Sequence, residues 1–282
     1  MIEVFKLFFM RGISETVKHL IIINAIFFAG AFVFGFRDIF FELFALYFPH
    51  NNLFQSWQLV SHMFMHGGVQ HILFNMFALW MFGTTVEQVM GRRKFIFFYL
   101  TSGLGAVFLS FVVYYAQVLP LISNLENAGF SDDLITQLMN LDIVRGNRFE
   151  GRLLYEQMSP ILESYSLNLN SINDDLFMNI FELNTMNFQS MVGASGAIMG
   201  VLVAFGMLFP ESKLMLLLLP VPIKAKFFIP IIIGLDLFSA VTGVSIFSPS
   251  NTAYVAHLGG ALTGFIIMYF WKKSQFDKYR WN

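Results

Sequence analysis

The chain has 282 residues, 56% of them hydrophobic and only 12% charged, with a net charge of −1 and a mean hydropathy of +0.65. Soluble domains carry about 25% charged residues, so this deficit, together with long apolar runs, indicates a polytopic membrane protein. The near-neutral charge argues against a nucleic-acid partner, and the absence of cysteine excludes disulfides, thiolate zinc sites and a cysteine nucleophile.

Six apolar spans follow in chain order, at about residues 19–36, 69–90, 95–119, 195–209, 227–241 and 253–271. The first, "HLIIINAIFFAGAFVFGF", is too long for a signal-peptide core and no small-residue cleavage site follows it, so it reads as a retained helix. A semi-polar stretch, 37–57, comes next. Between the third and fourth spans lies a long polar segment, residues 120–190, with no histidine or cysteine. It contains two amphipathic patterns. "SDDLITQLMNLDIV" has Ser131 as a candidate N-cap, acids in the first turn, and Leu134, Leu138 and Leu141 at helical spacing; "NDDLFMNIFELN" repeats the scheme from Asn173. Such helices are expected to lay their apolar sides on the membrane domain or the lipid interface. The whole chain, 1–282, is thus read as one membrane domain, with 120–190 inserted outside the membrane.

Basic residues orient the spans. With the N-terminus cytoplasmic, all of the 17 Lys and Arg residues fall on the cytoplasmic side except Arg37, Arg145, Arg148 and Arg152. Both termini are therefore expected inside, in a bacterial cell membrane, and the polar segment outside.

Depth then singles out a few side chains. Ser195 opens the fourth span within "MVGASGAIMG", and that span ends at Pro210, 15 residues on. At 1.5 Å per residue the helix is about 22 Å long, against a ~30 Å hydrocarbon core, so Ser195 is submerged about 8 Å below the outer surface. His257, in "YVAHLGGALTGF", lies 15 residues before Lys272 and hence at the same depth. An ionisable residue inside a span is a functional candidate by default. Gly196 and Gly200, and likewise Gly260 and Gly264, are four apart, a spacing that lets helix backbones approach closely. Packing of small residues around a hydrogen-bonded core histidine is the plainer reading of either motif alone.

The second span carries "SHMFMHGGVQHILFNMF", with His62, His66, His71 and Asn75. His71 and Asn75 share one helix face, and Asn75 stands 17 residues before Arg92, near the depth of Ser195. Amide hydrolysis develops an oxyanion, for which a ring N–H, a side-chain amide and the Ser195 backbone N–H are suitable donors. The competing reading is a metal or haem site, since His62 and His66 are also four apart, but no H-E-x-x-H and no neighbouring carboxylate accompany them.

Together, G-x-S-G on a short fourth span, A-H-x-x-G-x-x-x-G on the sixth and H-x-x-x-H-x-x-x-x-H-x-x-x-N on the second resemble the rhomboid family of intramembrane serine proteases. The resemblance implies an all-α, six-helix membrane bundle and a Ser195–His257 dyad. It also implies an oxyanion hole involving His71, Asn75 and Ser195, with Gly193, Gly196 and Gly260 as supporting backbone. It implies no metal or other cofactor, and substrates that are transmembrane segments cleaved near the outer leaflet of the bilayer. Residues 37–57 would be the family's lateral membrane-embedded loop. Two non-proteolytic alternatives remain open: a rhomboid-like protein that binds transmembrane clients without cutting them, and a histidine-based metal or haem protein. Oligomeric state is not legible.

Three features depart from the family pattern. The loop's Trp-Arg pair is Trp57-Gln58, a tyrosine often found four residues after the nucleophile is Met199, and segment 120–190 is unusually long. Asp236, the sole acid in the last two spans, is expected to be structural or interfacial and is not assigned to a triad; Glu87 is expected to tether a helix. His62 has two equal readings, solvated loop or lining of a water-filled cavity with Ser61, His66, Gly67 and Gly68. The loop "TGVSIFSPSNTAY" after the fifth span, with Gly243 and Pro249 as breakers, is expected to cap the site from outside.

Overall fold

The apolar runs fold as helices in the computed structural model, which describes residues 12–146, 148–169, 172–216, 219–244 and 251–278. Among the described residues, five helical stretches are long and apolar enough to cross a membrane: Glu15–Val33, Val69–Met90, Arg92–Asn127, Ala225–Thr242 and Tyr254–Lys272. A sixth apolar helix, Ser195–Leu208, has only 14 residues. This is an integral membrane protein of the all-α class, and the short fourth span expected from the position of Pro210 is present.

By contacts the chain divides into two compact units. The first comprises residues 1–45, 59–110 and 191–282. It begins with helix α1 (Glu15–Phe28), which continues through a π-helical turn to Val33, and the amphipathic α2 (Arg37–Phe44). Helix α3 (Val69–Ala78) runs through a second π-helical turn, Leu79–Gly83, into Thr84–Met90. The first span thus starts earlier than its apolar run. Glu87 explains this. Its carboxylate accepts hydrogen bonds from the Ser14 hydroxyl and from the backbone N–H groups of Thr16 and Val17, at 3.1 Å each. A helix leaves its first N–H groups without internal partners, and here an acid from another span supplies them, as expected of a tether.

Helix α4 (Arg92–Asn127) belongs to this unit as far as Ser110. Its Gly103, Gly105 and Ala106 line up against partners of the same unit, which matters for the site below. The second unit, residues 46–58 and 111–190, has a core of its own. It holds the rest of α4, then α5 (Asp132–Met139), α6 (Gly151–Ser164) and α7 (Asp174–Asn187). Ser131 and Asn173 are the N-caps, their side chains accepting from the N–H groups of Leu134 and Leu176. Leu134, Leu138, Leu154, Met158, Leu162, Ile180 and Leu183 are at most 1% exposed and pack together with Val118 and Leu125. These helices therefore bury their apolar faces against one another and against the last turns of the third span, the one membrane helix, among the described residues, on which the expected packing is seen. Val118, at the end of the third span, and Leu125, on its continuation past Pro120, offer those faces a partner within the unit.

In the first unit the chain closes with three helices: α8 (Ser195–Leu208), α9 (Ala225–Thr242) and α10 (Asn251–Lys278). A two-stranded hairpin, Lys213–Leu216 with Leu219–Lys224, joins α8 to α9. Helix α8 is apolar on all sides and is buried from Gly196 to Val201 and from Val203 to Phe205, as expected of a central helix. The outward faces of its neighbours are apolar as well: Ile26, Phe74, Phe108, Phe227, Leu262 and Phe270 are each more than half exposed. In water that surface would be a liability; against hydrocarbon it costs nothing.

Candidate active site

Glycines at the start of α8 and along α10 set the geometry. A methyl group placed on Gly260 would overlap the carbonyl oxygen of Gly196, and one on Gly264 would come 2.6 Å from the Cα of Gly200. On Gly196 it would lie 3.5 Å from the carbonyl oxygen of Ala256. The two backbones therefore touch along both small-residue pairs, as their spacing predicts. Helix α10 is also pressed from α4, since a methyl on Gly259 would meet the Gly105 carbonyl oxygen at 2.6 Å. Ser195 precedes Gly196 and His257 follows Ala256, so this contact carries the two side chains on facing backbones. Both are half-buried, and Ala194, Gly196 and Ala256 beside them are buried.

Gly193 links this pair to α3. Its φ is +119°, a conformation that L side chains rarely adopt, and its N–H donates to the His62 carbonyl oxygen at 2.9 Å. A methyl there would lie 2.7 Å from His71 Nε2 and 3.8 Å from Asn75 Nδ2. The backbone that leads into Ser195 thus rests directly on the His71 and Asn75 side chains. The Gly67 N–H lies 3.4 Å from His71 Nδ1 and donates to it, so the proton of the neutral ring sits on Nε2, the nitrogen turned toward Gly193. All seven residues singled out from the sequence, Ser195, His257, His71, Asn75, Gly193, Gly196 and Gly260, lie in the one unit.

Other expectations fare unevenly. His62 and His66 are 2% and 1% exposed, so neither is solvated loop. The His66 ring packs edge-on to His71 with centroids 4.9 Å apart. Ser61 donates its hydroxyl proton to the Phe44 carbonyl oxygen. Among the described residues, no three His, Cys, Asp or Glu side chains converge as a metal ion requires. Met199 is buried in the core rather than exposed to solvent. Gly243 ends α9 in the left-handed conformation, but residues 245–250, including Pro249, lie outside the described residues.

Two residues gain weight that sequence reasoning did not assign them. Gln58, where the family has arginine, is fully buried in the second unit. Its side-chain oxygen accepts from the N–H groups of Tyr47 and Gln55, and its amide donates to the Leu53 carbonyl oxygen at 2.9 Å. A neutral side chain thus satisfies three backbone groups of residues 47–55. Asp236, set aside as structural, has Oδ2 3.0 Å from His257 Nδ1. The available signal was that it is the only acid in the last two spans.

Fold and site define a polytopic helical membrane protein with a small-residue helix pair presenting a serine and a histidine. The chain belongs to the rhomboid family, whose domain model matches residues 53–132 and 169–274. It is 25% identical over 202 residues to the presenilin-associated rhomboid-like protein A, mitochondrial, of Danio rerio, covering 71% of this chain and 34% of that one. Over 56 residues it is 39% identical to the rhomboid protease GluP of Bacillus subtilis (20% of this chain, 11% of that one). Over 56 residues it is 43% identical to RHOMBOID-like protein 2 of Arabidopsis thaliana (20% of this chain, 18% of that one). The chain spans about a third of the length of the curated relatives that it matches most extensively. Those relatives carry mitochondrial names, and the expectation of a bacterial inner membrane finds no support in them.

Proposed function

We propose that the protein is an intramembrane serine protease that hydrolyses peptide bonds in or near transmembrane segments of other membrane proteins. The observation that carries this reading is the glycine contact between α8 and α10, which brings the backbones of Ser195 and His257 together with Gly193 resting on His71 and Asn75.

The chemistry follows from the groups present. A serine hydroxyl is a weak nucleophile until a base removes its proton, and His257 is that base. Ser195 Oγ attacks the scissile carbonyl carbon while its proton passes to His257 Nε2. The carbonyl oxygen becomes an oxyanion, held by His71 Nε2–H, the Asn75 side-chain amide and the Ser195 backbone N–H. Ser195 is the first residue of α8, so this negative charge develops at a helix N-terminus. Collapse breaks the C–N bond, and His257 returns its proton to the leaving amine. Water then attacks the acyl-serine ester with His257 again as base, releasing the acid and restoring the serine. The basic clusters at 92–94 and 213–226 stand at the opposite helix ends from this site. That arrangement supports a topology in which Ser195 and His257 open toward the other face of the membrane, with both termini on the basic side.

The test is labelling of the membrane-embedded protein by a fluorophosphonate. Modification is expected at Ser195 and nowhere else, and it disappears in Ser195→Ala; an unlabelled Ser195 in folded protein rejects the reading. His71→Ala and Asn75→Ala are each expected to lower kcat by about 10- to 1000-fold, as single oxyanion donors do. Cleavage of a model transmembrane substrate checks this, and unchanged rates in both would return these residues to packing roles.

A further inference from the structure

Helix α9 brings one carboxylate to His257. Asp236 is 3% exposed, and its Oδ2 lies 3.0 Å from Nδ1, the ring nitrogen that the proposed chemistry leaves free. Burying a carboxylate inside an apolar helix bundle is expensive unless it is paired. If this contact only tethered α9 to α10, a neutral amide or hydroxyl would serve at lower cost, as Ser110 does in donating to the Ala106 carbonyl oxygen and the Met191 sulfur. An acid is needed where the partner itself gains charge.

We propose that Asp236 is a positioning residue for His257, making the site a Ser–His–Asp array rather than a bare dyad; this rests on the hydrolase reading above. The carboxylate accepts the Nδ1–H of the neutral ring. That bond leaves Nε2 with its lone pair and turns it toward Ser195. When the hydroxyl proton moves to Nε2, His257 becomes an imidazolium, and Asp236 stabilises it without taking a proton itself. When His257 gives that proton to the leaving amine, the ring returns to its Nδ1–H form. Asp236 touches neither substrate nor reacting atoms. It acts through the ring's tautomer, orientation and charge. Packing against Gly196 and Gly200 holds α10 in place but cannot choose between the two tautomers, which a fixed acceptor does.

The test compares Asp236→Asn and Asp236→Glu with wild type, full-length in proteoliposomes. Asp236→Asn keeps the size of the side chain but can donate to Nδ1, stabilising the wrong tautomer. It is expected to lower kcat by about 10- to 1000-fold with KM and unfolding temperature little changed, while Asp236→Glu recovers part of the loss. A kcat for Asp236→Asn within about threefold of wild type, at unchanged KM, overturns the proposal. Should the variants fold poorly, ¹⁵N NMR of histidine-labelled wild type reads the tautomer directly: Nδ1–H at His257 is expected, and Nε2–H overturns the proposal. Failure of fluorophosphonate to label wild-type Ser195 rejects the hydrolase reading beneath it. Labelling with an indifferent Asp236→Asn rejects the positioning role alone.

Discussion

Ser195→Ala and His257→Ala are each expected to abolish cleavage of a model transmembrane substrate, Ser195→Ala with the unfolding temperature within a few degrees of wild type and His257→Ala with a lowered one, because it leaves the buried Asp236 carboxylate unpaired. Both side chains are half-buried, so the smaller one, Ser195, leaves no large cavity when its hydroxyl is removed. The helix contact beside them is made by glycine and alanine backbone, which neither change touches. The loss is therefore chemical. Without the hydroxyl no acyl intermediate forms, and without the imidazole the hydroxyl keeps its proton. Residual activity above a tenth of wild type in either variant corresponds to about 1.4 kcal/mol of barrier or less, too little for a nucleophile or its base. Such a result, in protein shown to be folded, would remove the residue from the mechanism.

Legibility varied with how local the determining physics was. The membrane spans could be read because each is a run of apolar side chains whose length is set by the bilayer. The short helix at Ser195 could be read because Pro210 and the charges after it mark its end. Ser131 and Asn173 were recognisable as caps because a cap is a contact between residues three apart. Contacts distant in sequence were harder. Asp236 and His257 are 21 residues apart on different helices, and only the crossing of α9 with α10 decides that the acid faces the ring. Gln58 could be identified as a departure from a pattern, but its burial depends on how residues 46–58 fold back on themselves. His62 could be read equally as solvated loop or as cavity lining; it is buried, and its backbone carbonyl accepts the Gly193 N–H. Two of the insertion's helices, α5 and α7, were visible from their periodicity, whereas α6 was not. That they bury their apolar faces in a core of their own was not, because periodicity identifies a face and not its partner.

Gly260→Val is expected to have the next largest effect, on stability and activity together. A Cβ at this position would overlap the Gly196 carbonyl oxygen, which is backbone and cannot rotate away as a flexible side chain could. Helix α10 cannot retreat freely either, because Gly259 sits against the Gly105 carbonyl on its other side. The clash must be relieved by separating α8 from α10. Overpacking of this kind costs about 1–3 kcal/mol and should appear as a lowered unfolding temperature in detergent. The effect on rate is expected to be greater than stability alone implies. Ser195 and His257 flank the contact, and a displacement of about 1 Å between a nucleophile and its base costs on the order of 100-fold. Gly264→Ala provides the comparison. It meets the Gly200 backbone one turn farther from the serine, so it should destabilise the same helix pair with a smaller loss of kcat. Equal losses of activity in the two variants at matched stability would mean that rate follows global packing. A steeper loss at Gly260 ties it to the spacing between serine and histidine.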